Sequence, residues 1–93
     1  MIINKVEIPW NMEYIFNSAD IKLDDQKAEL LKAKYIRARK LAKHNGALLM
    51  GLVSTAANWL SYAYAHNLPV NSKAYEKCIR DLDDVHIPNK IYE

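Results

Sequence analysis

Apolar side chains recur at three- and four-residue steps in three stretches of this chain, and each stretch predicts an amphipathic helix. In the first, Ala28, Leu31, Tyr35, Ala38 and Ala42 share one stripe. Asp24 or Asp25 can cap its start, where acids also suit the positive end of the helix dipole, and Asn45-Gly46 suits its end. The spacing predicts a helix over residues 25–44.

The second stretch, Ala47 to His66, carries no charged residue if His66 is neutral. Leu48, Leu49, Leu52, Val53, Ala56, Trp59, Leu60 and Ala63 give it a wide apolar face. Its other side holds Met50, Ser54, Ala57, Asn58, Ser61 and Ala65. A surface helix normally places charges there, so this second side is expected to be covered as well, with Ser54, Asn58 and Ser61 at an internal or intermolecular interface. A single glycine costs a helix only about 1 kcal/mol. One uninterrupted helix, Gly51 included, is therefore expected up to Asn67-Leu68-Pro69. The third stretch places Tyr75, Cys78, Ile79 and Leu82 on the inner stripe of a helix from about Lys73 to Leu82, capped by Asn71 or Ser72.

The flanks read differently. Ile2 to Trp10 favours extended backbone, with Pro9 limiting any ladder. Asn11 is placed to cap a short turn over Met12–Phe16, and Asn17–Leu23 reads as a polar connection. Val85–Glu93 is again extended, and Val85-His86-Ile87-Pro88 echoes Val6-Glu7-Ile8-Pro9. The two arms, 1–10 and 85–93, are expected to pair minimally with each other, to lie across the helices, or to add a strand to a partner. The fold expected is a single mainly all-α domain over residues 1–93. It is a compact bundle of three main helices and a short helical turn, with extended arms.

Composition agrees with that class. Half the residues (51%) are apolar and there are 2 glycines and 3 prolines, which disfavours both disorder and a turn-rich β fold. The single cysteine, Cys78, cannot form an internal disulfide, and no basic-then-apolar leader opens the chain, so a cytoplasmic setting is expected. The 20 uncharged residues from Ala47 match a membrane span in length, but Asn58, the serines, Thr55 and the many alanines make them too polar for one. No membrane association is expected.

Charge changes the picture more. The net charge is only +2, yet from Leu30 to Tyr75 there is no acid against seven bases: Lys32, Lys34, Arg37, Arg39, Lys40, Lys43 and Lys73. Acids gather at both ends. On the first helix Lys32, Arg39 and Lys43 share a face away from the apolar stripe, with Lys40 and Ile36 beside them. Such a face can follow a phosphate backbone or meet an acidic surface, or it can be solvated or neutralised by Asp81, Asp83 and Asp84. It lacks aromatic side chains for base stacking.

Chemistry-bearing motifs are sparse. His44, His66, His86 and Cys78 lack metal-ligand spacing, and the acids near Asp81 lack a calcium loop and its glycine, so neither metal nor cofactor is expected. Cys78 sits on an apolar stripe, where thiols are inert. Two glycines cannot build a phosphate-cradling loop. The stretch AELLKAKYIRARKLAKHNG resembles the first helix of the helical chorismate mutases in its paired leucines and basic run. The arginine and lysine that hold substrate in that family are replaced here by Lys34 and Asn45, so the resemblance does not carry the activity. Ala47, Gly51, Ala57 and Leu60 match the spacing of a helix-turn-helix over 47–64, in which Ser54, Thr55 and Asn58 would face bases. That recognition helix would have no lysine or arginine.

The function expected is non-catalytic binding. The chain would be an adaptor, inhibitor or accessory subunit docking on a larger protein or nucleoprotein complex, with homo-oligomerisation open. Small accessory proteins of phages and mobile elements share this scale, a likeness of size alone. The alternative is direct DNA or RNA binding through the basic helix 25–44 or the helix-turn-helix at 47–64. A small helical enzyme ranks third.

Overall fold

The computed structural model describes residues 1–44 and 51–85. Their order is β1 (Ile2–Ile3), β2 (Val6–Glu7), a 3-10 helix (Trp10–Ile15), β3 (Ile21–Lys22), α1 (Asp25–His44), α2 (Leu52–Ala65), β4 (Pro69–Val70) and α3 (Ser72–Asp83). The chain is mainly α-helical, as the periodicity predicts. α2 packs against α1, α3 and the 3-10 helix, and α1 also packs against α3.

The helix ends follow local chemistry. Asp24 Oδ1 accepts from Lys27 N at 2.7 Å, a side-chain cap at the start of α1. Asn71 Oδ1 accepts from Ala74 N at 3.1 Å and caps α3 in the same way. α2 closes through Asn67, whose φ of 59° is left-handed. Leu68 N donates to Ala63 O at 2.8 Å and Asn67 N to Tyr64 O at 3.1 Å, so two otherwise orphaned carbonyls are satisfied.

The expectation of a helix running through Gly51 is not met. α2 begins at Leu52, and Gly51 has φ 78° and ψ −156°, a conformation glycine adopts and other residues rarely do. The low cost of a helical glycine was outweighed by its freedom to leave the helical region. The segment 47–50 of the expected helix, the Asn45-Gly46 stop and most of the C-terminal arm fall outside the described residues.

The arms and connections also differ from expectation. The N-terminal arm pairs with itself: Ile2 opposes Glu7 and Ile3 opposes Val6. Asn4 and Lys5 form the two-residue turn with φ of 54° and 65°, the positive values that a tight hairpin requires. The short helical turn is a 3-10 helix starting at Trp10, and Asn11 does not cap it. The stretch expected to be a polar connection contains β3, which pairs antiparallel with β4: Ile21 opposes Val70 and Lys22 opposes Pro69.

The core joins all these elements. Ile8, Met12, Ile15, Leu31, Leu60, Val70 and Leu82 are its largest fully enclosed side chains. Among the described residues no polar or charged side chain is buried. The expected stripes are recovered, with Leu31 and Ala38 buried from α1 and Tyr75, Cys78 and Leu82 from α3. Tyr75 also donates its hydroxyl to Lys27 O at 2.9 Å, tying α3 to the start of α1. Among the described residues no helix is long and apolar enough to cross a membrane.

Candidate functional site: the outer edge of helices α1 and α2

α1 and α2 run antiparallel, since Tyr64 donates to Asp25 at one end while Tyr35 and Ser54 meet at 3.1 Å towards the other. This arrangement brings the two groups of candidate residues side by side. Lys32, Arg39 and Lys43 form a ridge on α1, and all three are exposed, as is Lys40. Ser54, Asn58 and Ser61 follow each other on α2 at steps of four and three residues, which puts them on one stripe.

The two rows are linked at two places. Near the N-terminal half of α1, Lys32 and Ser61 line a shared groove of about 260 Å³ with Ala28, Glu29, Leu31 and Tyr64. Further along, the Arg39 guanidinium lies 5.7 Å from the centre of the Tyr35 ring, and the Tyr35 hydroxyl meets Ser54 Oγ. Tyr35 is therefore the joint between the rows. The sequence placed it on the apolar stripe; the available signal was its hydroxyl, which a half-buried tyrosine uses to find a partner.

The cations of α1 fall into two groups. Lys34 Nζ pairs with Asp83 at 2.6 Å, and Arg37 donates to Val85 O at 3.1 Å. These two fasten α1 to α3 and to the chain beyond it. Lys32, Lys40 and Lys43 have no hydrogen bond or ion pair with any described residue, and Arg39 has only its contact with the Tyr35 ring. The acid of the last helix that reaches α1, Asp83, thus pairs with Lys34, which lies off the ridge, and the alternative of a ridge neutralised by these acids is not seen among the described residues. Asp81 is engaged by Lys77 at 2.7 Å.

On the second side of the central helix Ala57 is buried and Ser54 half-buried, whereas Asn58 and Ser61 are exposed, so of the two covers expected for them the internal one is not present in the single chain. An uncharged helix side can face solvent when its side chains are small and polar. Ser54 is half-buried and satisfied by Tyr35. The helix-turn-helix gains the turn at Gly51, but its first helix falls on residues outside the description. α2 is moreover the packed middle of the bundle. Of the three side chains that would face bases, Ser54 is held by Tyr35 and Thr55 Oγ1 donates to Gly51 O.

Cys78 is buried, which pushes its thiol up to about 11 and leaves it un-ionised at neutral pH. Among the described residues no three His, Cys, Asp or Glu side chains converge on a metal-sized gap. The groups on offer are ammonium, guanidinium, hydroxyl and amide, which suit binding of anionic and hydrogen-bonding surfaces. Comparison of the chain with family models, with curated proteins and with solved structures gave no match.

Proposed function

We infer that this chain is a small, non-catalytic, cytoplasmic binding protein that docks on a larger protein or nucleoprotein complex through the α1–α2 edge. The observation that carries this reading is the division of labour among the α1 cations. Lys34 and Arg37 are consumed by the fold, whereas Lys32, Arg39, Lys40 and Lys43 extend from it with no anionic partner among the described residues. Like charges held together on one helix repel, so the free protein gains nothing from the cluster, while an anionic partner relieves it. The row of Asn58 and Ser61 beside it supplies neutral hydrogen-bonding groups.

The test is affinity capture from the native cell, comparing the wild-type chain with a folded K32E/R39E/K43E variant. Loss of the captured partner on reversal supports the reading. Equal capture by both proteins rejects it and moves attention to the N-terminal arm, where Trp10 is 85% exposed.

A further inference from the structure

We propose that the Lys32–Arg39–Lys43 ridge seats against the sugar-phosphate backbone of double-stranded DNA. The inference rests on the α1–α2 edge being the docking surface and adds the chemical class of what docks there.

Four features of the edge favour this partner. The first is linearity. Lys32, Ile36, Arg39 and Lys43 succeed one another at steps of four, three and four residues along one α-helix, so the cations stand in a straight row about 16 Å long at 1.5 Å per residue. A duplex strand offers an equally regular row, with a phosphate about every 3.4 Å of axis. Second, the sign is uniform: Glu29, one turn before Lys32, marks the acidic end of the row, and no acid follows it on α1. Third, the ridge carries no aromatic side chain, and Tyr64, the exposed ring on the α2 side of the groove, has its hydroxyl held by Asp25. Protein interfaces draw most of their affinity from aromatic anchors, and single strands need them for stacking. Ile36, at 42% exposure, is the one large apolar side chain in the row. Fourth, Ser61, which lines a groove with Lys32, and Asn58 on the same stripe of α2 are neutral donors of the kind that bind phosphate oxygens. The ridge lies at the edge where α1 packs on α2, so it meets the outer backbone of a duplex rather than entering a groove.

Three ridge cations, with Lys40 beside them, can neutralise about three to four phosphates. The logarithm of the binding constant should then fall with the logarithm of salt at a slope of about −3. The experiment is fluorescence anisotropy of a labelled 20-bp DNA duplex titrated with the full chain from 50 to 200 mM KCl. Competition arms use an RNA duplex of the same sequence and a poly-glutamate peptide. The expected result is micromolar to sub-millimolar binding with that slope, a slope shallower by about 1 in K43A, and no binding by K32E/R39E/K43E at 100 mM KCl. Circular dichroism and a melting curve confirm that the variant is folded, and K32Q/R39Q/K43Q replaces it if it is not.

A slope shallower than about −1, or a duplex affinity indifferent to the variants, overturns the proposal. So does competition by poly-glutamate or duplex RNA equal to that of duplex DNA. If the DNA duplex fails while cellular capture still depends on the ridge, the DNA inference falls and the docking reading stands. If capture is also indifferent to the ridge, both fall.

Discussion

Replacing Asn71 should loosen the link between the first third of the chain and α3 by a calculable amount. Its Oδ1 caps α3 at Ala74 N, and its Nδ2 donates to Asn17 O at 3.0 Å. Two backbone bonds, Asn71 N to Ile15 O at 2.7 Å and Tyr75 N to Asn71 O at 3.1 Å, do not depend on the side chain. Loss of an asparagine cap costs about 1 kcal/mol, and loss of a neutral hydrogen bond a similar amount. Asn71→Ala should therefore cost about 2 kcal/mol, within a range of about 1–3 kcal/mol. For a domain of this size that lowers the melting temperature by about 8–16 °C. Asn71→Asp separates the contributions. It keeps the capping oxygen, loses the Nδ2 donor and turns a carboxylate towards the Asn17 carbonyl, so it should fall between wild type and Asn71→Ala. Urea titration followed by circular dichroism reads all three proteins. An alanine variant within about 0.5 kcal/mol of wild type, or an aspartate variant less stable than the alanine one, would refute the reasoning.

Two further substitutions test separate parts of the structure. Asp20 receives Ser72 N and Ser72 Oγ, each at 2.8 Å, and these bonds, led by the backbone one, hold its carboxyl below the ordinary range. Its folded value lies below its unfolded one, so its contribution is present above about pH 4 and is lost as pH falls through the folded value. The urea midpoints of wild type and Asp20→Asn should differ at pH 7, and the gap should narrow as pH falls below about 4; an unchanged gap contradicts this. Asn58→Lys, which a covered helix side would not tolerate, should instead change stability by less than about 0.5 kcal/mol because Asn58 is exposed, and a melting curve checks it.

The legible parts of the fold are those that local chemistry specifies. Asp24 and Asn71 are capping side chains followed by apolar repeats, and α1 and α3 begin where they predict. The illegible parts depend on contacts that periodicity does not register. β1 and β2 have two residues each, too few for an alternating pattern, and Lys5 is an unusual residue for a turn with positive φ. β3 and β4 pair across the whole length of α1 and α2. Gly51 could obey either helix propensity or its own freedom, and the latter prevailed. The basic residues of the candidate site were legible because charge and helical spacing are both written in the chain. Their alignment with Asn58 and Ser61 was not, because it needs the antiparallel register that Tyr35, Ser54, Asp25 and Tyr64 establish.

Amide NMR mapping of the bound surface tests the central claim most directly. The 15N-labelled chain is titrated with the 20-bp DNA duplex at 50 mM KCl, and shift changes are assigned residue by residue. The account predicts that the perturbed amides cluster on residues 32–43 of α1 and 54–64 of α2, while β1, β2 and α3 stay unmoved. Perturbations centred on Ile2 to Trp10, or none on the α1–α2 edge, would contradict it.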